Sequence, residues 1–154
     1  MQRKLDSIDK AILRELQTDG NITNVELARR VGLSAPPCLR RVRALEAEGV
    51  IKTYRAILDP RALGYDIVSF AWVQLTSQGK ADLTAFHETL SSWEVVRQCW
   101  TLSGETDFLL QCVCPNLPAF QEFVLTLTGL PNVRNVRTAL CLEQPKDEAL
   151  VPME

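Results

Sequence analysis

Apolar residues near the start of the chain, Leu5, Ile8, Ile12, Leu13 and Leu16, recur at three- and four-residue steps, the spacing of one face of an α-helix. Asp6 or Ser7 stands where a side chain can cap the orphan amides of that helix, and Asp19-Gly20 ends it. A second helix is predicted from Thr23, whose hydroxyl is placed for the Glu26 amide while the Glu26 carboxylate reaches back, a capping box. Val25, Leu27, Ala28 and Val31 supply its apolar positions, and Gly32 suits a left-handed stop. After the turn Gly32-Leu33-Ser34 comes a third helix, with Ser34 as N-cap and Pro36 and Pro37 in its first turn, where their missing amides cost little. It runs to Glu48 and stops at Gly49. On a wheel of about 100° per residue, Cys38, Val42 and Leu45 cluster around Leu39, and Arg40, Arg41, Arg43 and Ala44 take the opposite half. Residues 50–58, rich in Val, Ile, Thr and Tyr, read as a strand that Asp59-Pro60 ends.

Beyond Gly64 the pattern changes to strand, helix, strand, strand, helix, strand. Residues 67–75 are a nearly continuous apolar run, predicted as a strand. Residues 81–90 carry Leu83, Phe86 and Leu90 at helical spacing. Residues 95–102 and 108–114 are two further strands joined by a hairpin connection through Ser103-Gly104-Glu105-Thr106. Residues 117–128 form a helix with Phe120, Phe123, Val124 and Leu127 on one side, and residues 133–142 the last strand. This order is the split βαβ, ferredoxin-like βαββαβ arrangement. The fold class is therefore α+β: an N-terminal helix-turn-helix, winged-helix-like domain (1–49), a strand and linker (50–64), the ferredoxin-like domain (65–143) and a C-terminal tail (144–154). The strands carry Phe70, Trp72, Val73, Trp100 and Val113, more than one helical layer can hide. An uncovered apolar sheet face predicts self-association, at least a homodimer.

Composition narrows the function. The 154 residues are 46% hydrophobic and 23% charged, ordinary for globular protein and against disorder. The longest uncharged stretch, 108–121, is broken by Pro115 and Pro118 and is too short for the roughly 20 residues of a membrane helix. The start mixes acidic and apolar residues and has no signal-peptide run, so the expected location is cytoplasmic. The net charge is −2, but it is unevenly spread. Residues 1–60 hold 11 Lys or Arg against 8 Asp or Glu, and residues 61–154 hold 6 against 11. The basic excess falls between Ala28 and Leu58, where Arg29, Arg30, Arg40, Arg41, Arg43, Lys52 and Arg55 stand against only Glu46 and Glu48. The five cysteines, Cys38, Cys99, Cys112, Cys114 and Cys141, lack metal or redox spacing and read as reduced and structural. The single histidine, His87, sits in a helical pattern and reads as a surface or half-buried residue. No catalytic set and no metal site is predicted.

Two tight helices, a glycine turn and a capped basic helix make the helix-turn-helix pattern, whose second member lies in the major groove of double-stranded DNA. Small residues and prolines at its start let the backbone approach the duplex, and arginine can take guanine O6 and N7 together. The DNA-facing candidates are Ser34, Pro36, Pro37, Cys38, Arg40, Arg41 and Arg43, with Lys52 and Arg55 for the phosphate backbone. In the second half, Ser103, Gly104, Glu105, Thr106 and Asp107 form a loop with accessible amides for a carboxylate and with acids for an ammonium group. A free amino acid carries both; ordinary turn chemistry is the bland alternative.

The run NVELARRVGLSAPPCLRRVRALEAEGVIKTYRAILDP from Asn24 resembles the DNA-binding half of the Lrp/AsnC (feast/famine) transcriptional regulators, and SGETDFLL at 103–110 resembles the glycine-aspartate effector motif of their second domain. The likeness spans residues 4–143. It implies a winged or strand-extended helix-turn-helix, an amino-acid-binding ferredoxin-like domain, dimers built through the sheets and often octamers. It also implies an amino-acid effector bound between dimers near the loop 104–107. Two positions depart from the family pattern: Thr106, where many members carry an aromatic residue, and Pro36, often Ser or Thr. The expected function is thus a sequence-specific regulator that responds to a small amino acid, not an enzyme, with no other cofactor. The alternatives are a tetrapyrrole decarboxylase-like enzyme of similar architecture, against which the lone His87 speaks, and a ligand-independent DNA-organising oligomer.

Overall fold

The computed structural model describes residues 4–148 and 151–152; the remaining ends of the predicted first domain and tail lie outside the described residues. The chain separates into two compact units, one formed by residues up to Ile57 together with those from Lys146 onward, the other by Leu58–Pro145.

The first unit holds α1 (Ser7–Thr18), α2 (Asn24–Arg30) and α3 (Ala35–Ala47). Asp6 caps α1: its side chain accepts from the Asp9 amide at 2.8 Å, and the Asp9 carboxylate accepts from the Asp6 amide at 3.3 Å. The capping box is therefore on α1. At α2 only half of the expected box forms. Thr23 accepts from the Glu26 amide, but the Glu26 carboxylate turns to Arg29 and Arg30 instead, because two guanidinium groups are stronger partners than one amide. Gly32 (φ 71°) and Gly49 (φ 72°) take the left-handed conformation just past α2 and α3, which a Cβ would strain. Ile12, Leu13, Leu27, Ala28, Cys38 and Leu45 make the core, with Ile8, Leu16, Val42 and Ile51 against it. The buried face of α3 is thus centred on Cys38 and Leu45, not on Leu39, which is exposed.

The strand expected over 50–58 does not form: after Ile51 the segment has no regular structure up to Asp59. Its start is tied down, with the Val50 and Ile51 amides donating to the Leu45 carbonyl, but beyond that no strand among the described residues lies alongside. Strand propensity needs a second ladder to be realised, and Ile57 is left 87% exposed.

The second unit follows the predicted order: β1 (Ile67–Leu75), α4 (Lys80–Ser91), β2 (Val96–Thr101), β3 (Phe108–Cys114), α5 (Leu117–Thr128) and β4 (Val133–Leu140). The four strands form one sheet in the order β2-β3-β1-β4, antiparallel throughout, as the ferredoxin-like arrangement requires. Alternation along β1 decides the faces. Ser69, Ala71, Val73 and Leu75 are buried, and the last three join Phe86 and Leu90 of α4 and Phe123 and Leu127 of α5 in one core. Of the strand residues expected to exceed one helical layer, Val73 therefore belongs to the helix-covered side. Phe70 and Trp72 alternate with it on the open face, their rings 6.5 Å apart.

Phe108, fully buried and 4.7 Å from the Phe86 ring, is the largest side chain wholly enclosed in this core. Phe108→Ala should cost about 3–5 kcal/mol, read as a lowered urea midpoint at unchanged slope.

Candidate functional site

The two candidate sites lie in different units, and each is built from a face its unit leaves uncovered. On α3 the proline-bearing first turn starts at Ser34, the N-cap, whose side chain makes no capping bond. Pro36, Arg40 and Arg43 are exposed, and their spacing of four and three residues sets them on one stripe of the helix. Pro37 is half-buried; Lys52 and Arg55 are exposed on the irregular segment that follows. The start of α3 is held by α2: Asn24 Nδ2 donates to the Ala35 carbonyl at 2.8 Å, and the Leu33 amide to the Ala28 carbonyl at 2.9 Å.

Two members of the expected DNA-facing set stand elsewhere. Cys38 is fully buried, and burial pushes its thiol above the ordinary range; it is a core residue and offers nothing to a duplex. Arg41 turns back onto the start of α1. Its Nη1 donates to Asp6 Oδ2 at 2.7 Å and to Asp9 Oδ1 at 2.8 Å, and Asp9 is wholly buried. These bonds hold the guanidinium above its usual range. The Asp6 carboxyl is held below its own, first by the Asp9 amide and then by Arg41. The wheel placed Arg41 with Arg40 and Arg43 because it counts angles and cannot see the first turn of another helix. The other guanidinium groups nearby, Arg29 and Arg30, are engaged by Glu26, whose carboxyl they pull down to about 2.

In the second unit the loop 103–107 closes the β3 end of the sheet. Gly104 has φ 128° with open space around its Cα, a conformation that favours glycine. Ser103 and Glu105 are exposed and Thr106 half-buried. Asp107 is different: it is buried, and its Oδ2 accepts from the Leu75 amide at 2.7 Å. Its own amide donates to the Val73 carbonyl, and its carbonyl accepts from the Leu102 amide. The carboxylate expected to hold an ammonium group thus ties the loop to β1.

Beside the loop lies a hollow of about 260 Å³ lined by Trp72, Gln74, Glu105, Thr106, Asn135 and Arg137. Four of these residues were missed in sequence. Trp72 faces Arg137 and Gln74 faces Asn135 across the β1–β4 ladder, a register that no local pattern discloses. The hollow brings a guanidinium, a carboxylate, two amides and a hydroxyl to one place on the open sheet face. The remaining chemistry is sparse. His87 is exposed, within 3.3 Å of the Thr101 hydroxyl, and Cys99 is the one exposed thiol among the described residues. No group of three or more metal-ligating side chains occurs among the described residues, and no helix there is long and apolar enough to cross a membrane.

Comparison with known proteins agrees with both halves. Residues 5–52 match the winged helix-turn-helix DNA-binding family and residues 68–151 the Lrp/AsnC ligand-binding domain. A leucine-responsive regulatory protein of Rhizobium meliloti (strain 1021) is 59% identical over 149 residues, 96% of each chain. That of Escherichia coli (strain K12) is 39% identical, covering 94% of this chain and 88% of the relative. Among solved structures, a transcriptional regulator from Neisseria meningitidis in complex with L-Met superposes with a TM-score of 0.91 at 37% identity, over 97% of each chain. An AsnC family transcriptional regulator from Agrobacterium tumefaciens gives 0.88 at 33% identity, over 96% of this chain and 97% of its own.

Asp107→Ala should leave the Leu75 amide without its acceptor and lower stability by about 1–3 kcal/mol, measured by urea denaturation with no amino acid present.

Proposed function

Because the chain belongs to the Lrp/AsnC family of transcriptional regulators, with a helix-turn-helix DNA-binding domain and a ligand-binding domain, we propose that α3 reads double-stranded DNA through the stripe Pro36, Arg40 and Arg43. The exposed stripe on a helix whose N-cap position is Ser34 is the observation that carries this reading. Arg40 and Arg43 reach base edges or phosphates in the major groove, Ser34 and Pro36 let the helix start approach the backbone, and Lys52 and Arg55 add phosphate contacts. Pro37, half-buried, shapes the first turn.

The effector is a free amino acid held at the loop 103–107 and the hollow beside it. Arg137 suits the carboxylate and Glu105 the ammonium group, while Ser103, Gly104 and Thr106 offer amides and hydroxyls. Asp107 holds the loop in shape. A volume of about 260 Å³ lies below the roughly 300 Å³ at which drug-sized pockets begin, which suits a ligand as small as one amino acid. The L-Met complex of the Neisseria meningitidis relative supports that ligand class.

Self-association completes the reading. The open sheet face carries Phe70, Trp72 and Trp100, and it favours a homodimer that assembles further to an octamer. Binding of the amino acid then shifts one assembly against another and with it the spacing of the DNA-reading helices, a coupling in the strict allosteric sense. The protein acts in the cytoplasm, as a regulator and not an enzyme, with no membrane partner and no cofactor beyond the effector.

Arg40→Ala and Arg43→Ala should each flatten the dependence of log affinity on log salt by about one phosphate contact. Fluorescence anisotropy over a salt series checks this, and absence of salt-sensitive binding by the wild-type protein overturns the reading. Across the twenty amino acids, one or a few should raise the thermal midpoint, as a ligand selective for the native state does. Arg137→Ala and Glu105→Ala should abolish that rise and leave the unliganded midpoint nearly unchanged.

A further inference from the structure

Arg41 lies on the DNA-reading helix but spends its charge inside the protein. Asp6 and Asp9 each divide their two oxygens between two tasks. Asp6 Oδ1 accepts from the Asp9 amide at 2.8 Å and Asp9 Oδ2 from the Asp6 amide at 3.3 Å, which caps α1. The other oxygen of each, Asp6 Oδ2 and Asp9 Oδ1, receives Arg41 Nη1 at 2.7 and 2.8 Å. Cap and ion pair are one cluster, so the first turn of α1 and the middle of α3 cannot shift independently. Asp9 is fully buried and Arg41 retains 28% side-chain exposure. A buried carboxylate is strongly destabilised without a charged partner, whereas the contribution of a solvated arginine face would be small.

We propose that Arg41 is a positioning residue for DNA reading: clamped by Asp6 and Asp9, it sets the rotation and height of α3 against α1, and the contact to DNA is left to Arg40 and Arg43. The clamp presupposes that α3 reads DNA and adds which of its arginines do so. Geometry decides against a phosphate contact at Arg41: its Nη1 is already shared by two carboxylates, and a phosphate would have to compete with both. Both acids lie in the chain before α2, where a helix-turn-helix pattern gives them no role.

The two roles predict opposite signs for one variant. Asp6→Asn with Asp9→Asn removes two negative charges and keeps an oxygen at each cap position, where Asn serves as well as Asp. Affinity is measured by anisotropy with the full chain, on a duplex selected by the wild-type protein from a random pool and on a random-sequence duplex. A clamp predicts looser binding to the selected duplex, roughly tenfold for a lost charged hydrogen-bond pair, a reduced ratio of selected to random affinity, and an unchanged salt slope. Arg41→Ala should show the same changes, and the triple variant should be no worse than either, because the groups act as a unit.

Tighter binding by Asp6→Asn with Asp9→Asn, or a salt slope lowered by about one in Arg41→Ala, overturns the clamp and makes Arg41 a phosphate contact. Lowered thermal midpoints with both affinities unchanged overturn it as well, leaving a stabilising pair only. Should the double variant fail to fold by circular dichroism, Asp6→Asn alone carries the same comparison, since Asp6 is half exposed and its cap survives. Wild-type protein that shows no salt-sensitive binding to either duplex overturns the DNA reading itself.

Discussion

Each unit has one layer of helix or sheet to bury against another, and among its own described residues the outer side of that layer is left uncovered. That one-sidedness governs the molecule. In the first unit, Cys38 and Leu45 turn one side of α3 into a core shared with Ile12 and Leu27. In the second, Val73 and Leu75 press one face of the sheet against Phe86, Phe123 and Leu127. A small domain gains most of its stability from such a layer. The stripe Pro36, Arg40 and Arg43 is the outer side of the first layer; Trp72, Gln74 and Arg137 are the outer side of the second.

Polar groups then hold these layers in place where apolar packing is indifferent to rotation. Hydrophobic contact is non-directional, but the Asp6, Asp9 and Arg41 cluster has two bonds to one nitrogen and a fixed geometry. At the other site Asp107 does similar work for the loop 103–107, with its bond to the Leu75 amide. In both places a carboxylate that could have met a ligand instead fixes the groups around it. The result is a loop anchored at Asp107 and exposed at Ser103 and Glu105.

Much of the fold was legible from periodicity. The helices of both units and the four strands follow directly from apolar spacing, caps and glycine stops, and their order carried the ferredoxin-like topology before any contact was known. The errors share one cause. The capping box was assigned to Glu26 because the motif is local, whereas Arg29 and Arg30 compete for the same carboxylate. Residues 50–58 have the side chains of a strand, yet a strand exists only through a neighbour, and the described residues supply none. The faces of β1 could not be assigned, because a continuous apolar run conceals its alternation.

The candidate sites divide in the same way. Residue chemistry along the sequence determined that a basic capped helix follows a tight turn, that a glycine-acid loop joins two strands, and that the near-neutral net charge conceals a basic first part and an acidic second. Charge and helical angle are properties of one segment, so they can be read from it. Which groups are free to act is a property of what lies opposite. Only the packed structure could turn Cys38 inward, bring Asp9 beneath Arg41, commit Asp107 to β1 and set Arg137 beside Trp72, because each of those contacts joins residues that are distant in the chain and become neighbours when the layers close.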